Sequence, residues 1–369
     1  MTLSRGAIGN LVNRYRAVLR KCRMMNVFGS LAVAGMLVAG NAGFAGAEEL
    51  SGDISPISLS GDTRNIIGVG DISLRSTEPA LRYLINVSGQ GQLDISMSNG
   101  SSMAVGHADG IYLKDYSDYD QYASAFHVAG SGSSGSFVGT GTFSMVGGGK
   151  LLGVCAFLSE SKGTLTLSGD ITGEAEAVMN GSNGYASFAA AAAGGNLVFG
   201  GDRTTLRAKA STGNNANGAF VKYGGMIDFA SKSVLIESKN TDSNSVGINC
   251  ADGTVKTSAD TDLDIVVEGN KATTGIQLTA SSSDVQLAGN LDLTATQTGQ
   301  DSFASVLGIS NDSGKMVVSG PTSLRLATNA PFDAKGITAS GKADMSFLGD
   351  VEIAVTGSAS GSALYTTYR

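Results

Sequence analysis

Pairs of alternating, mostly apolar residues, each followed by a small residue and a short turn, recur along the chain from residue 163 onward. The pairs are Leu165/Leu167, Leu197/Phe199, Ile227/Phe229, Val255/Thr257, Val285/Leu287, Met316/Val318 and Met345/Phe347. The small residues that follow them are 28 to 32 positions apart. A nearly fixed period of this length indicates a repeat architecture, in which each unit buries its apolar side against its neighbours.

Two further elements occur in each period. A second alternating run follows the turn, as at Val234/Ile236 and Leu263/Ile265. A third, shorter element is marked by glycine before an apolar or small residue, with copies at Gly184-Tyr185, Gly218-Ala219, Gly247-Ile248, Gly275-Ile276, Gly308-Ile309 and Gly336-Ile337. Period-two alternation predicts strands with one buried face, and three strands per period favour a coil that stacks on similar coils.

The sequence therefore predicts an all-β fold, a right-handed parallel β-helix built from coils of roughly 30 residues. In such a stack each strand pairs with its equivalents above and below, and the inward side chains form continuous apolar columns. A propeller or a two-sheet sandwich stays open as an alternative, although these folds favour four strands per unit or shorter antiparallel spacing.

Residues 1–47 have the pattern of a secretory signal. They contain six basic residues and no acidic residue, an apolar run over 27–40, and a small-x-small site at Ala45-Gly46-Ala47. The apolar run is shorter than the roughly 20 residues that a membrane span requires. We therefore predict a signal peptide with a basic N-terminal extension over 1–47, and the Sec export machinery as its partner.

Residues 48–160 repeat less clearly, although Leu93/Ile95 and Phe143/Met145 alternate as strands do. Terminal coils of a solenoid are expected to be atypical, because one end must be capped. The predicted organisation after the signal is a section of irregular N-terminal coils and cap over 48–160, then regular β-helix repeats over 161–369. No capping pattern precedes Arg369, so we expect that the natural polypeptide continues or that this chain is a fragment.

The charge balance narrows the range of partners. Charged residues make up only 15% of the chain, and acidic residues outnumber basic ones by 32 to 25. Removal of the signal segment would take away six basic residues and no acidic ones, which leaves a still more acidic protein. This composition gives no support to nucleic acid as a partner.

Cysteine and histidine, which often act as nucleophiles or metal ligands, are scarce outside the signal segment. Cys155 and Cys250 lie about three coils apart, roughly 14 Å along the stack, whereas a disulfide needs Cα atoms within about 7 Å. We therefore predict two free, buried thiols. His107 and His127 are the only histidines, which is too few for a three-histidine metal site.

Two motif-like stretches lack residues that their chemistry requires. Gly336 to Lys342 has the glycine spacing of a phosphate-binding loop, but Ala343 stands where a magnesium-binding Ser or Thr is required. Asp260 to Asp264 begins like a calcium loop, but Ile265 occupies the position that needs glycine. The aspartates at 262 and 264 alternate with inward residues and are expected to face solvent. We predict no catalytic, cofactor-binding or metal-binding residue, and no enzymatic activity.

The least repeat-like stretch, 112–122, contains four tyrosines at steps of four, three and three: Tyr112, Tyr116, Tyr119 and Tyr122. At helical spacing they would share one face. Tyrosine offers a rigid, amphipathic contact surface at low entropy cost. This insertion is therefore the candidate contact site for a host glycan or surface protein. The alternative is a short helix or loop that packs its tyrosines on the side of the coil.

The basic signal extension, the acidic Gly/Ser/Thr/Asn-rich repeats and the scarcity of cysteine resemble the passenger region of autotransporters of Gram-negative bacteria, over nearly the whole chain. The resemblance implies Sec export, passage through the outer membrane by a C-terminal β-barrel translocator, and a β-helical passenger that often serves in adhesion or virulence. The chain departs from the family pattern, because it has no run of about a dozen amphipathic, roughly ten-residue membrane strands.

These observations predict an exported, non-enzymatic β-helical stalk or adhesin-like protein. Its expected location is the cell surface, the outer membrane or the extracellular medium, or the periplasm if no translocator follows. The alternative is a secreted carbohydrate-active enzyme, a lyase or hydrolase, because pectinolytic enzymes also use β-helices with clustered carboxylates and a fold does not imply a function. A third possibility is an inert fragment of a longer autotransporter.

Overall fold

The computed structural model describes residues 47–108, 122–148, 152–178, 186–211, 215–299, 305–329, 334–357 and 361–367. Across these ranges the chain forms 28 strands and no helix. The predicted signal peptide, as far as residue 46, lies outside the described residues.

The strands belong to two sheets, and the chain passes from one sheet to the other and back in each coil. The first thirteen are β1 (Glu48–Ile54), β2 (Ile57–Ser60), β3 (Thr63–Ser76), β4 (Tyr83–Ser88), β5 (Gln92–Met97), β6 (Ser102–His107), β7 (Tyr122–Ala129), β8 (Ser134–Gly147), β9 (Gly153–Glu160), β10 (Thr164–Ala177), β11 (Ala186–Ala193), β12 (Asn196–Ala210) and β13 (Asn215–Lys222). The others are β14 (Gly225–Phe229), β15 (Ser233–Asn240), β16 (Ser245–Cys250), β17 (Gly253–Thr257), β18 (Asp262–Gly269), β19 (Thr273–Leu278), β20 (Ser283–Leu287), β21 (Asn290–Gln297), β22 (Val306–Asn311), β23 (Lys315–Val318), β24 (Thr322–Thr328), β25 (Ala334–Ser340), β26 (Asp344–Phe347), β27 (Val351–Gly357) and β28 (Gly361–Thr367).

Each ladder between these strands is parallel, and each strand pairs with its equivalent on a neighbouring coil. In the described ranges the first sheet contains 17 strands and the second contains 11. This arrangement is a parallel β-helix, and it confirms the predicted fold class. The propeller and the sandwich are excluded, because both pair neighbouring strands antiparallel.

The pairing register confirms the prediction that the repeated apolar residues of successive coils align with one another. Leu197 pairs with Leu165 on one side and with Ile227, 30 residues later, on the other. In β10 and β12, the first and second elements of a coil form one continuous strand of 14 or 15 residues. From β14 onward the two elements are separate strands.

One predicted position of the third element is wrong. Ala190 pairs with Ala219, so the equivalent of Gly218-Ala219 is Ala189-Ala190 and not Gly184-Tyr185, five residues earlier. Residues 189–193 are all alanine, and all five are buried. Because this run contains only alanine, it shows no alternation between apolar and polar residues. The nearest glycine therefore does not mark the start of the third element there.

A column of phenylalanine rings fills the inside of the coils around β7 to β14. The fully buried rings are Phe126, Phe137, Phe143, Phe157, Phe199 and Phe229. Rings contact one another across the core, as do Phe143 of β8 and Phe157 of β9 with centroids 5.0 Å apart, and between neighbouring coils, as do Phe199 and Phe229 with centroids 5.4 Å apart. Farther along the stack, aliphatic side chains continue the same inner core. Each coil therefore buries its apolar side against the coils on either side of it.

The glycines of the third element face this core. A Cβ atom at Gly247 would collide with the side chain of Ile265 on the opposite strand. Earlier in the stack the small and the larger residue are exchanged. Ala156 occupies the position that glycine has in other third elements, and Gly173 faces it across the core. A Cβ atom at Gly173 would lie only 3.2 Å from the Cβ atom of Ala156. Glycine marks the third element because a large residue occupies the space across the core.

Candidate contact surface on the second sheet

In the second sheet the alternation of inward and outward side chains is interrupted within the strands. Leu84 and Ile85 are consecutive residues of β4, yet both are fully buried in the inner core. Two consecutive inward residues break the alternation of a flat strand, and the flanking Tyr83 and Asn86 point outward. The same break occurs in β7 and β9, where two consecutive residues also belong to the inner core. The break therefore leaves outward side chains on both sides of the inward pair, as Cys155 and Leu158 do in β9.

Outward side chains of this sheet form a second hydrophobic cluster, separate from the inner core. This outer cluster consists of Tyr122, Cys155, Leu158, Phe188 and Ala191, none more than 6% exposed, with Tyr83, Ala186 and Phe220 packed against it. Phe188 stacks on Phe220 with ring centroids 4.7 Å apart, and the edge of Tyr122 meets Phe188 at 6.0 Å. A ring on one coil thus covers a ring on the next.

His127 is buried on the same face, with both ring nitrogens engaged. Its Nδ1 lies 2.8 Å from Oδ1 of Asn86, and its Nε2 lies 3.0 Å from Oε2 of Glu160. The ring stacks on Tyr83 at a centroid distance of 4.0 Å, and Arg82 donates a hydrogen bond of 2.7 Å to the Tyr83 hydroxyl. Because each nitrogen contacts a side chain of a neighbouring or nearby coil, His127 links three coils through its ring.

Lys222 is surrounded by aromatic rings where β13 ends. Its Nζ lies 4.4 Å from the ring centroid of Tyr223, 5.3 Å from that of Tyr122 and 5.7 Å from that of Phe220. These distances are within the roughly 6 Å range of cation–π attraction. Tyr223 is 70% exposed and Lys222 is partly exposed, so this edge presents an aromatic ring to solvent beside a half-buried lysine.

Tyr122, the last of the four predicted contact residues, begins β7 and belongs to the outer cluster. It is 6% exposed, and burial raises the pKa of its phenol. It packs on the outer side of the second sheet, within a strand. Tyr112, Tyr116 and Tyr119 lie outside the described residues, so a contact site over 112–122 stays a prediction.

The two histidines lie in different sheets. His107 ends β6 in the first sheet, where burial lowers its pKa, and His127 lies in β7 of the second. Within the part of the chain that the structure describes, no group of three His, Cys, Asp or Glu side chains is placed to hold a metal ion.

Cys155 and Cys250 are free and buried, which confirms the prediction. They face opposite sides of the second sheet, because Cys250 belongs to the inner core and Cys155 to the outer cluster. Burial raises the pKa of both thiols, to about 11 for Cys250 and well above the usual value for Cys155.

Neither thiol is expected to react with iodoacetamide at pH 8 in the folded protein. The thiolate is the reactive form, and a pKa of about 11 leaves only about one Cys250 side chain in a thousand ionised at that pH. Both cysteines should be alkylated once guanidinium chloride unfolds the chain. Peptide mass spectrometry measures each site separately. Rapid alkylation of Cys155 but not of Cys250 in native buffer would contradict a closed outer cluster.

A row of carboxylates lies on the outer side of the first sheet, where the sequence predicts a solvated face. Asp264 is exposed and pairs in register with Asp292, and both line an open groove. Partial burial, together with the charges of Asp292 and Asp262, raises the pKa of Asp264. Arg325 Nη1 lies 2.6 Å from Asp292 Oδ1. Two neighbouring carboxylates in unlike environments are the feature that the enzyme alternative needs.

The contacts of His127 and Lys222 do not follow from the predicted repeat. Glu160 comes 33 residues after His127, close to one period, so a search for polar pairs one coil apart would have indicated it. Asn86 comes 41 residues before His127, because the segment 109–121 intervenes. The rings around Lys222 come from two different coils, and no local pattern relates them.

Comparison with known proteins gives no match: no protein-family model, no curated protein and no solved structure resembles the chain. Over the described ranges, the chain forms no helix with the length and apolar character of a membrane span. The structure shows a parallel β-helix that carries an outer aromatic cluster on one sheet and a carboxylate row on the other.

Proposed function

We propose that the protein is an exported, non-enzymatic β-helical surface protein of the autotransporter-passenger type, which acts as a stalk or adhesin-like surface. The observation that carries the proposal is the parallel stack that runs from β1 to β28. Each coil of such a stack contacts only its neighbours, so the outer faces are free for contact with partners. The signal pattern of residues 1–47 and the acidic composition support a place outside the cytoplasm.

The outer side of the first sheet suits a stalk in water. Ion pairs connect successive coils there: Arg207 contacts Glu174 at 3.2 Å and also Glu237, and Lys232 contacts Asp202 at 2.6 Å. Exposed pairs of this kind contribute little to stability, because water screens the charges. Their main effect is a hydrated surface, which leaves the aromatic face of the second sheet as the better contact surface.

Export is expected to remove residues 1–47 and to leave Glu48 at the N-terminus. Small residues at 45 and 47 fit the signal peptidase site. Expression of the full chain in a Gram-negative host, followed by cell fractionation and N-terminal sequencing, measures both location and cleavage. The paired substitution Ala45→Leu and Ala47→Leu should block cleavage and serves as the control. Recovery of the chain from the cytoplasm with Met1 intact would contradict the proposal.

A secreted carbohydrate-active enzyme is the second candidate, and the pairing of Asp264 with Asp292 in the open groove favours it. The measurement is turnover of polysaccharides by the purified chain. Turnover that is lost in Asp264→Asn and kept in Asp53→Asn, an exposed carboxylate far along the stack in β1, would establish the enzyme and defeat the non-enzymatic proposal.

A further inference from the structure

His107 is a buried polar side chain without a partner in the N-terminal coils. It is 8% exposed, and neither Nδ1 nor Nε2 of its ring makes a hydrogen bond. His127 differs, because both of its ring nitrogens contact a side chain. A buried polar group that makes no hydrogen bond lowers stability, so its presence in a folded protein requires a physical reason.

Apolar residues occupy the position of His107 on the coils that follow. Val105 of β6 pairs with Phe143 of β8. Two residues farther along these strands stand His107 and Met145, and Met145 pairs with Ala175 of β10. Met145 and Ala175 are both buried. The imidazole of His107 therefore stands where the next two coils have a hydrocarbon side chain.

The turn that leads from β3 to β4 lies against the His107 ring. Ser76, the last residue of β3, pairs with His107 in register, and its Oγ accepts a hydrogen bond of 3.1 Å from the Glu78 N–H. Backbone groups of Glu78 and Leu81 lie near the imidazole but do not complete a hydrogen bond with it. Residues 77–80 are exposed to solvent. The buried ring therefore lies beneath a turn on the surface.

The charged groups around His107 provide no counter-ion for a protonated ring. Arg75 Nη1 lies 3.4 Å from the His107 carbonyl oxygen, which places a positive charge beside the residue. The turn carries Glu78 and Arg82, and in the described ranges no carboxylate oxygen bonds to either ring nitrogen. β4, β6 and β8 contain no Asp, Glu, Lys or Arg. Burial therefore lowers the pKa of His107.

We propose that His107 makes the N-terminal coils acid-labile, because protonation of its ring releases the turn over 77–82 and loosens the end of the stack that β1 to β6 form. A charge that is buried without a partner is strongly unfavourable, and an open turn lets water solvate the imidazolium. Each coil contacts only its neighbours, so the later coils stay folded.

Opening of this end also changes the outer face of the second sheet. Tyr83 begins β4, directly after the turn, and stacks on the His127 ring at a centroid distance of 4.0 Å. It also packs against the outer cluster. Release of the turn and of β4 therefore uncovers part of the outer cluster at low pH. This consequence makes the contact surface sensitive to acid, and it rests on the proposed contact function.

The direction of the pH effect follows from the lowered pKa. The open state binds the proton at a higher pH than the closed state does, so acid favours opening. The contribution of neutral His107 to stability is complete above the ordinary histidine pKa of 6.5. It decreases as the pH falls from there and is lost once the pH passes the lower pKa of the closed state. Over that range the equilibrium constant for opening rises by up to about tenfold per pH unit.

Hydrogen exchange with mass spectrometry on the purified full chain, between about pH 7.5 and pH 5, tests the proposal. After correction for the intrinsic pH dependence of exchange, amides of β3, β4 and β6 should lose up to about tenfold in protection per pH unit below about 6.5. Amides of β18 and β21 should keep theirs. His107→Met and His107→Gln, which do not titrate, should abolish the loss. His127→Gln is the matched control and should keep it.

Nuclear magnetic resonance gives an independent measurement, because His107 and His127 are the only histidines of the chain. The histidine signal that remains in His127→Gln belongs to His107 and should titrate below about pH 6.5. The proposal is overturned if that signal titrates at or above about pH 6.5, if both His107 variants open in acid as the unaltered chain does, or if protection falls equally along the whole stack. None of these results affects the export test, since cleavage before Glu48 does not depend on His107.

Discussion

Replacing Phe143 by alanine is expected to lower the free energy of unfolding by about 3 to 5 kcal/mol. The Phe143 ring is fully buried, and its centroid lies 5.0 Å from that of Phe157, 5.2 Å from that of Phe137 and 6.0 Å from that of Phe126. Removing the ring leaves a cavity at the centre of this column and takes contacts from all three partners. Close packing on several sides prevents the site from collapsing to fill the space.

Guanidinium chloride unfolding, followed by far-ultraviolet circular dichroism, measures this loss. Val138→Ala is the matched control, because Val138 lies in the same strand but is 40% exposed. It should change the free energy of unfolding by no more than about 0.5 kcal/mol. Equal effects of the two substitutions would show that the inside of β8 is not packed against the neighbouring coils.

Adding one methyl group at Gly247 is expected to destabilise the protein by about 1 to 3 kcal/mol. The new Cβ would collide with the Ile265 side chain and would lie 2.5 Å from the Gly275 carbonyl oxygen. The carbonyl belongs to the next coil and cannot withdraw without disturbing the ladder. Thermal and denaturant unfolding of Gly247→Ala measure the cost.

Two further variants give this prediction its controls. At Gly200, in β12, a Cβ meets nothing closer than Ser168 Oγ at 3.7 Å, so Gly200→Ala should be neutral or stabilising by up to about 1 kcal/mol. Ile265→Ala makes room across the core, so Gly247→Ala should cost less in that background, with a coupling energy of about 0.5 to 3 kcal/mol. Additive effects of Gly247→Ala and Ile265→Ala would rule out the steric explanation.

The repeat pattern predicted the inner columns well, because inward residues of equivalent strands must match across every coil. Val255 and Val285 pair as the spacing requires. The prediction that Gly184-Tyr185 marks the third element was wrong, because the equivalent residues are Ala189-Ala190, within a run of buried alanines that has no alternation. The outer cluster on the second sheet did not follow from the repeat pattern, because the aromatic and charged neighbours of Tyr122 come from coils that differ in length.

The amino-acid sequence by itself determined the parallel coil, the positions of most strands and the two buried thiols, because period and alternation are properties of the chain read along its length. Only the tertiary structure decided that Cys155 and Cys250 face opposite sides of one sheet. That outcome depends on a break of a single residue in the alternation, which reverses every side chain beyond it. The tertiary structure also brought Lys222 to Tyr122 and His127 to Glu160, because contacts between coils depend on where each turn places the next strand.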